Sequence, residues 1–515
     1  MTAARAGRVA GAATLVLAAG LVPVWALALQ TPFRLIDDYG ALIPLTQTPA
    51  PRLLREAFSL AFNPVRFRPT HDIGQVLCWT LLGDAPAAHH AVRLGMKLLA
   101  FAAFLGVARR EVARAGARTS FGLLAAAPLA LALFFYLPNS PEARLAPQEL
   151  ALTLYLLAAL FIVGWRPTRI PPAATDALFL LCFALALWSK EPAFIVATPV
   201  LALAWVPSGQ PPRSVSMPAR LFALAAWLHA AAKSMVMSAG GGYARPPLTL
   251  AGVRKMAAGL SQQVLLTGSV PWLWMVLAAG AALCAWHQRD WPAQDRRTAW
   301  VPWALVAGAL VQYLLLWEPV LRYGYPLLVI LCLAAVVGFA TAVARATPAA
   351  AAGWTLGITA LALALAAAAY GHLAAQFAMQ RMAGAGEQEA LQGAERAARD
   401  PGAALFVTAT SEYEYRARMY FMDFLPRFAG RGVDVKAVRR PGDVPVDGLL
   451  LSRGAVPDAF AVVTPFAAPA RPRILDWSEA VSSDVRGGRP LGPAPLDAGS
   501  PGLPPLPWFL LRRLP

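Results

Sequence analysis

Residues 175–206 read TDALFLLCFALALWSKEPAFIVATPVLALAWV, two apolar runs around one polar break, Ser189-Lys190-Glu191-Pro192. A helix needs about 20 apolar residues to cross a bilayer core, so each run is short for a full crossing and the pair reads as two spans that turn back at the break. Runs of similar character lie at 9–29, 88–108, 120–137, 147–165, 219–237, 269–287, 300–317, 323–344 and 353–373, which makes eleven predicted spans. The fold class expected from them is an α-helical multi-pass membrane protein.

Composition excludes the alternatives. The 515 residues are 58% hydrophobic and 14% charged with a mean hydropathy of +0.52, whereas a soluble domain carries about 25% charged residues. The net charge of +17 does not indicate nucleic acid: the 17 Lys/Arg of residues 375–515 nearly balance its 15 Asp/Glu, so the excess lies between the apolar runs of residues 1–374. Cys78, Cys182, Cys284 and Cys332 have no paired spacing and imply neither a disulfide framework nor a zinc site. The first apolar run lacks a small-x-small cleavage site before Gln30 and reads as a retained first span.

The loops set the orientation. With a cytoplasmic N-terminus the inner segments carry Arg5, Arg8, Arg109, Arg110, Arg114, Arg118 and eight further arginines, against Glu111, Asp290 and Asp295. An odd number of spans then puts the C-terminal segment outside, in a bacterial cytoplasmic membrane. Two domains follow: residues 1–374, with a long first outer loop at 30–87, and residues 375–515, a small extracytoplasmic α/β domain. In that loop Pro51–Phe62 and Asp72–Leu82 have helical apolar spacing but are too short to cross, as suits interfacial helices. In the second domain, Ala404–Ala409, Val433–Val438, Gly448–Ser452 and Phe460–Thr464 read as strands, and 487–507, rich in Pro and Gly, as irregular. No internal repeat is visible, which counts against an inverted-repeat transporter.

The sharpest local feature is Asp37-Asp38-Tyr39 at the outer end of the first span, since two carboxylates beside lipid each need a partner, a cation or a proton. Other ionisable residues return to the same outer side: Arg52, Arg55, Arg66, Arg68, His71 and Asp72 in the first loop, then Glu142, Arg144, Lys190, Glu191, Glu318 and Arg322. Outer arginines run against the positive-inside tendency, and a lipid-linked phosphate is the natural counter-ion, because a guanidinium binds it bidentately while its tail stays in the bilayer. A sugar on a polyprenyl phosphate already has a good anionic leaving group, so one carboxylate suffices to deprotonate the attacking hydroxyl, in a single displacement with inversion. The plainer reading makes Glu142–Arg144, Lys190–Glu191 and Glu318–Arg322 local ion pairs. At the start of the second span stand His89, His90, Arg93 and Lys97; His89, Arg93 and Lys97 share a helix face that would line a hydrated cavity, or Lys97 would snorkel to the interface. The histidines have no metal-ligand spacing.

The order of these features resembles the GT-C superfamily of membrane glycosyltransferases, in the branch of the protein O-mannosyltransferases and lipid A aminoarabinose transferases. Asp37-Asp38-Tyr39 is similar to that family's acidic motif and Phe67-Arg68-Pro69-Thr70 to its Tyr-Arg-Pro-Leu element. His90 through Lys97 resembles its His-x-x-Asn helix and Pro138–Glu149 its Pro-x-x-x-Glu loop. Ser189-Lys190-Glu191 resembles Ser-Lys-Glu, and Arg322-Tyr323 the late Arg-Tyr. Thr70 stands in place of Leu and Arg93 in place of Asn. The resemblance implies Asp37 as base, Asp38 positioning the acceptor or a cation, and Arg68, Lys190 and Arg322 on the donor phosphate, with His71, His90, Arg93, Glu142 and Glu191 as further cavity candidates. It implies a polyprenyl-phosphate sugar as donor, a lipid, glycan or protein as acceptor, surrounding membrane lipids, no nucleic acid, and no required cofactor, although the Asp pair permits a divalent cation. Two other readings stay open: a non-catalytic transporter or flippase of lipid-linked saccharides, which predicts charges spread through the membrane depth, and an envelope scaffold working through residues 375–515.

Overall fold

The structure, a computed structural model, describes residues 2–32, 48–58, 68–83, 85–114, 119–136, 147–163, 170–190, 193–205, 215–239, 273–289, 321–397, 405–408, 435–438, 440–453, 456–465 and 508–514. The helices are α1 (Ala3–Leu29), α2 (Ala50–Glu56), α3 (Pro69–Leu82), α4 (Pro86–Arg114), α5 (Thr119–Leu131), α6 (Pro147–Val163), α7 (Pro172–Leu187), α8 (Ala193–Trp205), α9 (Met217–Ala239), α10 (Leu273–Gln288), α11 (Leu321–Arg345) and α12 (Pro348–Ala397). Among the described residues five helical segments are long and apolar enough to cross a membrane: Ala3–Leu29, Pro86–Ala113, Thr119–Tyr136, Leu328–Arg345 and Pro348–Gly371. Pro147–Val163, Pro172–Leu187, Ala193–Trp205 and Met275–His287 are shorter and apolar. The predicted run at 300–317 lies outside the described residues, so the count of eleven is not established. Residue 375 does not end the last helix, because α12 runs on to Ala397 through a stretch where the composition has already turned polar.

The surface of these helices is that of a membrane protein. Leu15, Val16, Leu99, Phe222 and Met275 are more than half exposed, a liability in water and ordinary against lipid tails. Burying a helix in lipid gives no hydrophobic gain from helix pairing, so close approach and dispersion must hold the bundle. Glycines supply the approach: a Cβ on Gly338 of α11 would fall on the Gly280 carbonyl of α10, and one on Gly122 of α5 would fall on the Ala340 carbonyl of α11. After Leu131, α5 widens into a π turn, Ala132–Tyr136, buried throughout, and the Tyr136 hydroxyl donates to the Leu17 carbonyl on α1.

The chain forms two compact units. One comprises Met1–Pro23, Glu56–Gly74 and Ala91–Leu373; the other comprises Val24–Arg55, Gln75–His90 and Ala374–Pro515. The second holds a five-stranded sheet of β1 (Leu405–Thr408), β2 (Val435–Val438), β3 (Leu449–Arg453), β4 (Phe460–Pro465) and β5 (Trp508–Arg513), in the order β2-β1-β3-β5-β4. The β2-β1-β3 pairs are parallel and the β3-β5-β4 pairs antiparallel, over a core of Phe406, Val438, Val444, Leu450, Phe460 and Leu511. The four predicted strands are present; β5 is an addition, and it occupies an inner position. Pro465, which has no N–H to give, sits on the edge strand β4, where such a residue is tolerated.

Candidate functional site

A knot of polar side chains assembles within the first unit from three separate stretches. Arg68 precedes Pro69, the first residue of α3, and the Asp72 amide donates to the Arg68 carbonyl at 2.9 Å to open that helix. Pro147 likewise opens α6, which places Gln148 and Glu149 in its first turn, where the helix dipole favours an anion. The third stretch follows α7: Trp188 caps it, Ser189 Oγ donates back to the Leu185 carbonyl at 2.6 Å, and Lys190 follows.

These stretches are bonded to one another. Arg68 Nη1 donates to Gln148 Oε1 at 2.7 Å, and Gln148 Nε2 lies 3.1 Å from His71 Nε2. Lys190 Nζ forms an ion pair with Glu149 Oε1, and the Thr70 amide donates to the Trp188 carbonyl at 3.1 Å. The Trp188 ring lies edge-on to Phe58 at 5.5 Å and to His229 at 6.4 Å. Arg68, His71, Asp72, Glu149, Ser189 and Lys190 are all buried. Burying this many ionisable groups is costly unless they are paired, and such clusters in membrane segments mark sites of function more often than sites of packing.

The predicted site residues fare as follows. Arg68, His71 and Lys190 are brought together. His90 is buried in the second unit, where its Nε2–H donates to the Thr31 carbonyl at 3.0 Å, and His89 makes the equivalent bond to Gly83 at 2.9 Å. Arg93 is half-buried on α4. Lys97 does not snorkel: it is buried, with its ammonium 5.4 Å from the centre of the Phe135 ring. Arg322 is on α11, its side chain outside the description, and Asp37, Asp38, Glu142 and Glu191 lie outside the described residues. Lys190 pairs with Glu149, 41 positions earlier, and the expected pair with its sequence neighbour Glu191 lies outside the described residues. Sequence reasoning named Glu149 only as the end of the Pro138–Glu149 stretch, with no role, and missed Gln148; the signal was a carboxylate inside an otherwise apolar run, which requires a partner. Among the described residues no group of three or more His, Cys, Asp or Glu gathers to hold a metal ion.

No family model matches the chain, and no curated protein matches it. Two solved structures are similar to it, both of ArnT from Cupriavidus metallidurans. One, in the apo state, has 14% identity over 82% of this chain and 85% of that one; the other, bound to undecaprenyl phosphate, has 13% identity over 87% and 96%. The TM-score is 0.42 in each case. At that score the functional reading rests on the residues of this chain.

Proposed function

We propose that this multi-pass membrane protein is a glycosyltransferase that moves a sugar from a polyprenyl phosphate to an acceptor hydroxyl, with inversion, on the outer face of a bacterial cytoplasmic membrane. The observation that supports the reading most is the buried knot of Arg68, His71, Gln148, Glu149 and Lys190, built from the segments that carry the glycosyltransferase-like motifs. A guanidinium and an ammonium held at fixed positions are suited to a phosphate, the first as a planar two-pronged donor and the second as a compact charge. Arg322 is the third group proposed for the phosphate.

In this reading Asp37 takes the proton of the acceptor hydroxyl while that oxygen attacks the anomeric carbon. The bond from that carbon to the phosphate oxygen breaks, and its electron pair leaves with polyprenyl phosphate. Asp38 positions the acceptor or a divalent cation. The N-terminus is cytoplasmic and residues 375–515 extracytoplasmic. The experiment is mass spectrometry of lipid-linked sugars in cells carrying the wild type or Asp37→Asn. A positioned base contributes about 10²–10⁴-fold, so the variant should accumulate one polyprenyl-phosphoryl sugar and lose the glycosylated product. Wild-type levels of both would sink the assignment.

A further inference from the structure

Three buried side-chain polar atoms have no hydrogen-bond partner among the described residues: Thr70 Oγ1, Glu149 Oε2 and Trp188 Nε1. All three belong to the knot just described. Thr70 is joined to Trp188 through the backbone, Trp188 is two residues from Lys190, and Lys190 holds the other oxygen of Glu149. Glu149 is 2% exposed, so its Oε2 is closed off from bulk solvent. Buried polar atoms are otherwise almost always satisfied, and three exceptions on one cluster point to a ligand that completes them.

Their chemistry says which ligand. The indole N–H only donates, the carboxylate oxygen paired with Lys190 only accepts, and the threonine hydroxyl does both. A phosphate brings acceptors alone and meets Glu149 as a like charge. An ammonium brings donors alone and leaves the indole N–H unmet. Neighbouring sugar hydroxyls, each donor and acceptor at once, satisfy all three. We infer that Thr70, Glu149 and Trp188 bind hydroxyl groups of the transferred sugar, beside the phosphate-directed Arg68 and Lys190. The inference rests on the polyprenyl-phosphate donor proposed above and assigns the part of the site that selects the sugar.

The test uses the full-length chain in lipid nanodiscs, titrated with undecaprenyl phosphate and with undecaprenyl-phosphoryl glucose, mannose and arabinose. Trp188→Phe keeps the ring against Phe58 and His229 and removes only the N–H; Thr70→Val keeps the shape and removes only the hydroxyl. The wild type should bind at least one sugar lipid at least tenfold more tightly than undecaprenyl phosphate. Each variant should lose about tenfold on that sugar lipid, the size of one hydrogen bond, while binding undecaprenyl phosphate within twofold of wild type. Equal weakening toward both lipids, no weakening by either variant, or no preference of the wild type for any sugar lipid overturns the inference and leaves the phosphate reading standing. A wild type that binds neither lipid overturns the donor proposal itself, and this inference with it.

Discussion

Replacing Glu149 with Leu should damage the protein more than replacing Glu149 and Lys190 together. The two side chains are 3% and 4% exposed, so no solvent screens the charge that is left when one partner goes. In Glu149→Leu the Lys190 ammonium stays buried without its carboxylate, and breaking a buried pair in this way costs about 3–5 kcal/mol. In Glu149→Leu with Lys190→Met both charges and both desolvation costs disappear, a change that ranges from neutral to about 1–4 kcal/mol stabilising. The cycle of wild type, two single variants and the double variant should therefore give a coupling of at least about 2 kcal/mol, read from unfolding in mixed micelles of rising SDS fraction. A cost below about 1 kcal/mol for Glu149→Leu, or additive single effects, would refute a buried and energetically real pair. The same four proteins separate architecture from chemistry. A double variant that folds but no longer consumes the lipid-linked sugar places the pair on the donor, and one that transfers normally confines the pair to holding α6 against the end of α7.

Three further outcomes follow from packing. Gly338→Leu should abolish monodisperse protein in detergent gel filtration, because any Cβ there meets the Gly280 carbonyl and the Cys284 amide of α10; Gly357→Ala, whose Cβ meets nothing within 4 Å, should elute as wild type. Arg110→Met should lower stability by about 2 kcal/mol in the same SDS titration, since Arg110 Nη1 donates to the Leu160 and Phe161 carbonyls at 2.9 and 2.8 Å, and Arg110→Lys should recover less than half because an ammonium lacks the fork that holds those carbonyls from Nη1 and Glu111 from Nε and Nη2. Ending the chain at Pro507 removes β5, which pairs with both β3 and β4, and limited proteolysis should then cut within residues 435–465, which the full chain protects.

The helical part of the fold was legible because lipid imposes one simple rule, an apolar run long enough to satisfy its own backbone. Helices α1 and α4 to α12 fall on predicted runs for that reason. Strand β5 was not legible: Trp508–Arg513 follows a stretch rich in Pro and Gly, and what makes it a strand is its bonding to β3 and β4, not its own pattern. For the site, the residue types of Arg68, His71 and Lys190 were readable, but their partners were not. Which acid meets Lys190 depends on the turn after α7 arriving beside the first turn of α6, and nothing in the spacing of Ser189-Lys190-Glu191 encodes that. Lys97 differs for a similar reason, since the Phe135 ring that receives it comes from the π turn after α5.

Helix α6 gives a physical ground for choosing transfer over transport. Its first turn carries Gln148 and Glu149, bonded side chain to side chain with Arg68, His71 and Lys190, and with one carboxylate oxygen still unsatisfied among the described residues. Its last turn is closed by Arg110, which bonds the Leu160 and Phe161 carbonyls and pairs with Glu111, so its bonds there go to backbone that a helix end leaves exposed in any case. From Glu149 to Phe161 is about 18 Å at 1.5 Å per residue. Over that length the helix offers only two polar side chains: Thr153, whose hydroxyl is spent on the Glu149 carbonyl at 2.7 Å, and Tyr155. A conduit for a charged head group needs polar groups at successive depths, whereas a transferase acting on a lipid-linked donor needs them at one membrane face only, and the amide and carboxylate that α6 itself carries, Gln148 and Glu149, both stand in its first turn.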